Sequence, residues 1–387
     1  MGAERRSRRW AAVLTGTGLA IAVWLAASGA SRHEPLAAPP RLEPDSGGHL
    51  ERVLLHFTPE AAEDLLPTYR DLLLALSDDT EVLVAVEAMP HYEELRRALG
   101  DLSPGLDLDA LRPVVIGRPI TAWSRDRFAT ARRGGRPLLV IPPQRVSPLP
   151  HRANDWIVPW ILSTELGGAV DATEAAFDFD GGDLIADERG VYATALLLER
   201  NRDRPTGQRS VLIEELRRMT GLDVVLIGGS PEEVPDHHIG MFLTPLGNGR
   251  AAVGDPAIAH RVLSGSGNDL PHGLAPDWST STRARFETVA RAMTEAGLDV
   301  TRLPLVPTLT PQVYLSYNNV LIDDRPDGRH VLVPQYGVDV LDEAAVTAWR
   351  RLGAEVHPVD VSRVFRHGGA IRCLAAVVER GGENTRP

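Results

Sequence analysis

From Glu51 onward the chain alternates between short apolar runs of strand length and longer stretches with apolar residues at helical spacing. Residues 53–57 and 81–87 predict strands, and residues 59–77 and 91–99 predict the helices that follow them. Apolar runs at 138–141, 184–185, 191–197 and 224–227 predict further strands, with a helix at 210–219 before the last. Residues 241–253, interrupted by Gly247-Asn248-Gly249, predict a hairpin, because such residues accept the positive φ torsions of a tight turn. A helix at 282–296 precedes a strand at 300–303. Strands at 313–321 and 330–333, a helix at 342–352 and a strand at 355–359 complete the series. These mixed short elements, with no break in composition, predict one α/β domain over residues 51–387 built of several similar units. No Gly-rich phosphate loop follows a strand, so nothing supports nucleotide binding.

The preceding residues have a different pattern. Arg5, Arg6, Arg8 and Arg9 stand before an uncharged, mostly apolar stretch of 21 residues, 10–30, which ends in Ser28, Gly29 and Ala30. A basic head, an apolar middle and a small-residue exit predict an export signal over residues 1–30 and a periplasmic or extracellular protein. Ser7-Arg8-Arg9-Trp10 resembles a twin-arginine address. The same stretch is long enough to span a bilayer, so an uncleaved N-terminal anchor is the alternative, and it is the only membrane contact predicted. Residues 31–50, rich in Pro, Ala and Gly without periodicity, predict a linker.

Charge and composition narrow the chemistry. The formal charge is −11, with 52 acidic and 41 basic residues. Losing residues 1–30 removes four Arg and one Glu and leaves −14. Such a field disfavours nucleic acid and favours encounter with cationic ligands. All 41 basic residues are Arg, which excludes a P-loop lysine, a lysine Schiff base and a lysine general base. Cys373 is the only cysteine, which excludes an internal disulfide and a Cys-rich zinc site.

Four segments carry candidate chemistry. Cys373 closes the run His367-Gly-Gly-Ala-Ile-Arg-Cys373 and reads either as a small buried hydrophobe or as a nucleophile. A nucleophilic thiolate needs a cation or base beside it, and Asp236-His237-His238 offers one. A transition-metal site is the competing use of that histidine pair, although no further ligands stand at suitable spacing. Trp123-Ser124-Arg125-Asp126 reads as a solvated ion pair or a site. Phe177 to Asp183, acids interleaved with aromatics and glycines, reads as a turn or a cation site.

Taken in order, these segments resemble the guanidino-group-modifying superfamily, and its agmatine deiminase and bacterial peptidylarginine deiminase branch in particular. Trp123–Asp126 is similar to W-x-R-D, Asp180-Gly-Gly-Asp183 to an acidic-G-G-N/D turn, and Glu199-Arg200-Asn201-Arg202 to the basic segment after the next strand. His238-Ile-Gly-Met-Phe242 resembles H-x-D-M-F, and Ser316-Tyr317-Asn318-Asn319 resembles S-Y-x-N. Val333-Pro334-Gln335-Tyr336-Gly337 matches V-P-Q-[FY]-G, and Gly368-Gly369 to Cys373 matches the terminal G-G-x-x-x-C.

The resemblance implies a pentein fold, an α/β propeller of five ββαβ units with pseudo-fivefold symmetry. It also implies a cationic guanidine or peptidyl-arginine substrate, hydrolysed to a ureido product without metal or other cofactor. By position, Cys373 is the implied nucleophile, His238 the general acid and base, and Asp126 a guanidinium clamp. Asp180, Asp183, Trp123 and Asn319 line the implied pocket, and Arg200 either meets a substrate carboxylate or starts a solvated helix. A non-catalytic guanidine-binding protein and an amidinotransferase are the alternative functions. The oligomeric state is not legible.

One position departs from the pattern. Gly240 stands where H-x-D has its second carboxylate. Losing one charge-assisted hydrogen bond costs about 1.5–3 kcal/mol. Either Asp236 or Asp183 replaces that acid, or the substrate is a substituted guanidine that needs the space, or the activity has decayed.

Overall fold

A computed structural model describes residues 39–144, 150–266, 270–271, 273–310 and 312–381, and the predicted export segment lies outside them. The described chain contains five sheets that repeat one pattern: an antiparallel strand pair, a helical crossover, and a third strand parallel to the second. Leu50–His56 and Glu81–Val86 form the parallel pair of the first unit, with Leu111–Val115 beyond them. Their antiparallel partner, Ala375–Arg380, comes from the other end of the chain and closes the ring.

The second unit is Ala129–Arg133, Arg136–Ile141 and Asp171–Glu174. The third is Ile185–Ala186, Gly190–Thr194 and Asp223–Ile227. The fourth is Leu243–Gly247, Arg250–Asp255 and Asp299–Thr310. The fifth is Leu321–Arg325, Gly328–Gln335 and Glu355–Asp360. This is the expected pentein architecture.

The hydrophobic pattern explains how the units pack. In Glu81–Val86 the residues alternate between two cores: Val82, Val84 and Val86 enter one, Leu83 and Ala85 the other. A strand covered on both faces needs no polar side, which is why it reads as an unbroken apolar run. The helix Ala62–Ala75 buries Leu65, Thr68, Tyr69, Leu72 and Ala75, a single stripe at helical spacing. Each large apolar side chain in such a stripe contributes about 1.5–3 kcal/mol when fully buried.

Some expectations are corrected. The predicted strand at 313–321 is two strands, Tyr314–Ser316 and Leu321–Arg325. Asn318 breaks it, because its side-chain amide donates to Thr244 Oγ1 at 3.2 Å and to the Ala252 carbonyl at 3.0 Å. The run at 191–197 leaves the sheet after Thr194 and becomes the short helix Leu196–Arg200. Of the predicted linker, residues 39–50 belong to the compact unit that starts at Pro39. Arg41–Leu42 pairs with Ala129–Arg133, and Leu42 and Leu50 are buried. Among the described residues no helix is long and apolar enough to cross a membrane.

Candidate active site

The five units deliver their polar residues from one equivalent place, the connection just ahead of each first strand. Asp126 precedes Ala129–Arg133, and Asp180 and Asp183 precede Ile185–Ala186. His238 precedes Leu243–Gly247, Asn319 precedes Leu321–Arg325, and Cys373 precedes Ala375–Arg380. Residues far apart in sequence meet because the propeller brings equivalent turns together.

Glycine permits that meeting. A β-carbon on Gly182 would collide with Nδ1 of His238, and one on Gly181 with the carbonyls of Arg125 and Phe128. The D-G-G-D run is therefore a close-approach device between three turns. At Gly369 the same test meets the Trp123 ring, with the Cys373 β-carbon 3.1 Å away.

His238 is the hub. Its Nε2 lies 3.5 Å from Asp180 Oδ2 and 4.0 Å from Asp183 Oδ1, and its Nδ1 lies 4.0 Å from Asp126 Oδ1. Burial alone would push the imidazolium down. Hydrogen bonds to Asp180 and Cys373, with the charges of Asp126 and Asp183, outweigh it and hold the ring proton well above the ordinary histidine range. Cys373 is only 6% exposed and accepts a contact of 3.5 Å from Asn319 Nδ2. Asn319 Oδ1 accepts the Arg372 N–H at 2.9 Å, so this amide pins the turn that carries the thiol.

The carboxylates are not bare. Arg152 Nη2 is 2.7 Å from Asp126 Oδ2, and Arg127 Nη1 and Arg200 Nη1 are 3.2 and 3.0 Å from Asp180. Arg200 Nε also reaches Asp183 Oδ2 at 3.0 Å. Burial raises Asp183 above the usual carboxylate range, with Arg200 and His238 opposing. Arg200 thus bridges two site acids; it does not start a solvated helix.

Gly240 has a different neighbour from either expected acid. A β-carbon there would collide with Nη1 of Arg372, the residue before the thiol. Asp236 is engaged elsewhere, accepting the Tyr314 hydroxyl at 2.5 Å and the Gln312 amide. Arg372 in turn donates through Nε to Asp45 at 3.1 Å and through Nη2 to the same oxygen. Arg125, the residue before Asp126, reaches that oxygen at 3.4 Å. Burial opposes the Asp45 charge, but Arg372 and Arg125 outweigh it and hold the carboxyl below its ordinary value. Burial and the nearby Arg372 charge push Arg125 down to about 10.

All eight site residues expected from the sequence thus gather here. Arg127, Arg152, Arg372 and Asp45 were missed. Arg127 follows the W-x-R-D match and Arg372 stands inside the G-G-x-x-x-C match, so both were visible, whereas Arg152 and Asp45 lie in segments with no motif. The described surface also holds a groove of about 600 Å³ between the helices Arg209–Thr220 and Thr280–Glu295, and none of these residues line it.

Known proteins match this architecture. The chain aligns over 88% of its length with the agmatine deiminase of C. jejuni, covering 96% of that chain at 15% identity and a TM-score of 0.65. The agmatine deiminase of Enterococcus faecalis gives 16% identity, 89% and 98% coverage and a TM-score of 0.65. A putative arginine deiminase from Porphyromonas gingivalis gives 18% identity, 87% and 97% coverage and a TM-score of 0.63. These likenesses establish the fold. Comparison with curated protein sequences finds no match. The sequence profile of one family matches residues 52–378, from within the strand Leu50–His56 to within the strand Ala375–Arg380. With the shared fold, that match shows that the chain belongs to the Porphyromonas-type peptidyl-arginine deiminase family.

Proposed function

We propose that the protein is a guanidine hydrolase that converts an arginine-like or peptidyl-arginine substrate to a ureido product. The observation that carries this reading is the meeting of His238 and Cys373 at one site: Asp126, Asp180 and Asp183 lie within 4.0 Å of the imidazole, and Asn319 Nδ2 lies 3.5 Å from both Cys373 Sγ and the Gly240 carbonyl in the turn after His238. A protonated imidazole beside a cysteine is the arrangement that generates a reactive thiolate.

The steps follow from that pair. Sγ of Cys373 attacks the guanidinium carbon and forms a C–S bond. A C–N bond then breaks, and His238 gives its proton to the departing ammonia or amine. The neutral imidazole next takes a proton from water, whose oxygen attacks the same carbon. The C–S bond breaks, which returns the thiolate beside the protonated His238; the new oxygen gives its remaining proton to the released amine or to solvent, and the neutral ureido product results. Asp126 holds the guanidinium at attack distance, a task suited to a carboxylate facing a planar donor fork.

Arg152 occupies Asp126, so the incoming guanidinium must take its place. Arg152 is suited to yield, because its side chain is 27% exposed, against 7% for Arg127. The Arg-rich head and apolar stretch of residues 5–30 support action outside the cytoplasm, and fractionating cells that produce the full chain tests it.

Incubating the full chain with free arginine, agmatine, methylated arginines and an arginine-containing peptide, then quantifying the ureido product, tests the activity. Turnover that disappears in Cys373→Ala supports it. No product from any of these, together with failure of a haloacetamidine to label Cys373, overturns it. The internal pairing of every site carboxylate favours a second reading, guanidine binding without turnover. Calorimetric binding that survives Cys373→Ala, in a parent that makes no product, would select it.

A further inference from the structure

A second cluster of ligating side chains lies at the opposite ends of the strands from the catalytic turns. In the fifth unit, Gly328–Gln335 and Glu355–Asp360 run parallel, with His330 paired to Glu355 and Leu332 to His357. Glu355 and His357 are two apart on one strand, so both face the side on which His330 stands. His330 Nδ1 is 2.9 Å from His357 Nε2 and 4.0 Å from Glu355 Oε2. One donor atom from each of the three residues lies within 4.8 Å of the other two.

We propose that His330 Nδ1, His357 Nε2 and a Glu355 carboxylate oxygen bind one divalent transition-metal ion of the zinc type, water completing the shell. Imidazole nitrogens with one carboxylate form a donor set that suits zinc better than calcium or magnesium.

Two further observations support the site. First, Asp327 Oδ1 lies 3.0 Å from His330 Nε2, the ring nitrogen facing away from the cluster. A carboxylate on the far nitrogen fixes that proton there and leaves the Nδ1 lone pair directed at His357. Second, the two rings lie within 18° of parallel with centroids 5.1 Å apart, and their Nδ1 and Nε2 atoms already face each other. Two nitrogens on one tetrahedral zinc stand about 3.3 Å apart, a widening of about 0.4 Å from the observed contact.

Such an ion would clamp two parallel strands of the unit that carries Gln335 and Tyr336, and its role would be structural. The test uses the full chain, stripped with chelator and then exposed to Zn²⁺ alone or Co²⁺ alone near pH 7.5. Native mass spectrometry is expected to show one ion per chain, the Co²⁺ form a visible d–d absorption, and Zn²⁺ a rise in melting temperature.

His357→Ala should remove all three signals, and Glu355→Gln, at an exposed position, should weaken Zn²⁺ binding about tenfold. Cys373→Ser should bind as the parent does. No retained ion in the parent overturns the proposal. So does a His357→Ala protein that binds equally, or an ion lost with Cys373 instead. If His357→Ala does not fold, the Glu355→Gln titration decides, and an unchanged affinity there counts against the site.

Discussion

Gly240 and Arg372 are packed so closely that a β-carbon on residue 240 would collide with the guanidinium Nη1 of Arg372. At the position where the H-x-D pattern has a second clamp, this chain has a guanidinium of its own. Asp45 fixes it, so the space is filled by protein and the missing acid leaves no vacancy. Restoring the acid should therefore not restore a clamp. Gly240→Ala is expected to destabilise by about 1–3 kcal/mol, the usual cost of overpacking, and to lower the melting temperature. Gly240→Asp is expected to lower both melting temperature and kcat/KM. A Gly240→Asp protein with unchanged melting temperature and higher kcat/KM would show that Arg372 does not hold that space.

Asp45 joins the residues immediately ahead of Asp126 and Cys373, because one oxygen accepts from both Arg125 and Arg372. Its other oxygen takes the Ala186 N–H at 2.8 Å, which ties the strand Ile185–Ala186 to the same point. Asp45→Ala leaves two buried guanidinium groups facing each other, a change of the kind that costs about 3–5 kcal/mol. Asp45→Asn keeps the shape and loses the charge. We expect it to lower kcat at least tenfold with little change in KM, since Asp45 does not touch substrate. The Asp45 carboxyl is depressed in the folded state, so it stabilises above the unfolded carboxyl pKa and that contribution is lost as pH falls through the folded value. Chemical denaturation of parent and Asp45→Asn between about pH 3 and 7 should show their stability difference shrinking toward the acid end.

The propeller was legible wherever the strands were apolar runs, as in Glu81–Val86, and illegible where a strand was polar or interrupted by proline. Ala129–Arg133 carries no large apolar side chain, and Leu111–Val115 contains Arg112 and Pro113. Neither has the alternation that marks a strand, and both are strands because neighbours pair with them. Cys373, His238, Asp126 and Asp180 were legible because short motifs carry them. The arginines on the carboxylates were not, because Arg152 reaches Asp126 across 26 positions from a segment with no motif. Ion pairs between distant residues leave no periodic trace in a sequence. Asp45 was hidden for a further reason, since a Pro- and Gly-rich composition signals a lack of regular structure and says nothing of burial.

Arg152 competes with substrate for Asp126 if the proposed mechanism holds. Its Nη2 to Asp126 contact of 2.7 Å has the geometry of a strong charge-assisted hydrogen bond, yet the side chain keeps access to solvent. Removing it should spare the substrate that displacement. Arg152→Ala is expected to lower KM for a guanidine substrate several-fold, with a smaller change in kcat. Steady-state kinetics of parent and variant on one substrate check this. An increase in KM would instead assign Arg152 to holding the substrate.

His238 governs the pH response. Burial acts against its charge, but hydrogen bonds to Asp180 and Cys373 and the charges of Asp126 and Asp183 raise it well above 6.5. In the proposed mechanism the ring must carry its proton when the amine departs. The rate should therefore hold through neutral pH and fall on an alkaline limb centred above 6.5. The linkage has the same sign: a folded value raised above the unfolded one stabilises fully below about pH 6.5, and the contribution disappears as pH rises through the folded value. His238→Gln should therefore be inactive, and its stability deficit relative to the parent should be largest near pH 6 and shrink toward pH 10. Denaturation at a series of pH values reads that difference directly. A deficit that grows with pH, or a rate that declines at or below pH 6.5, would remove the protonated imidazole from the mechanism.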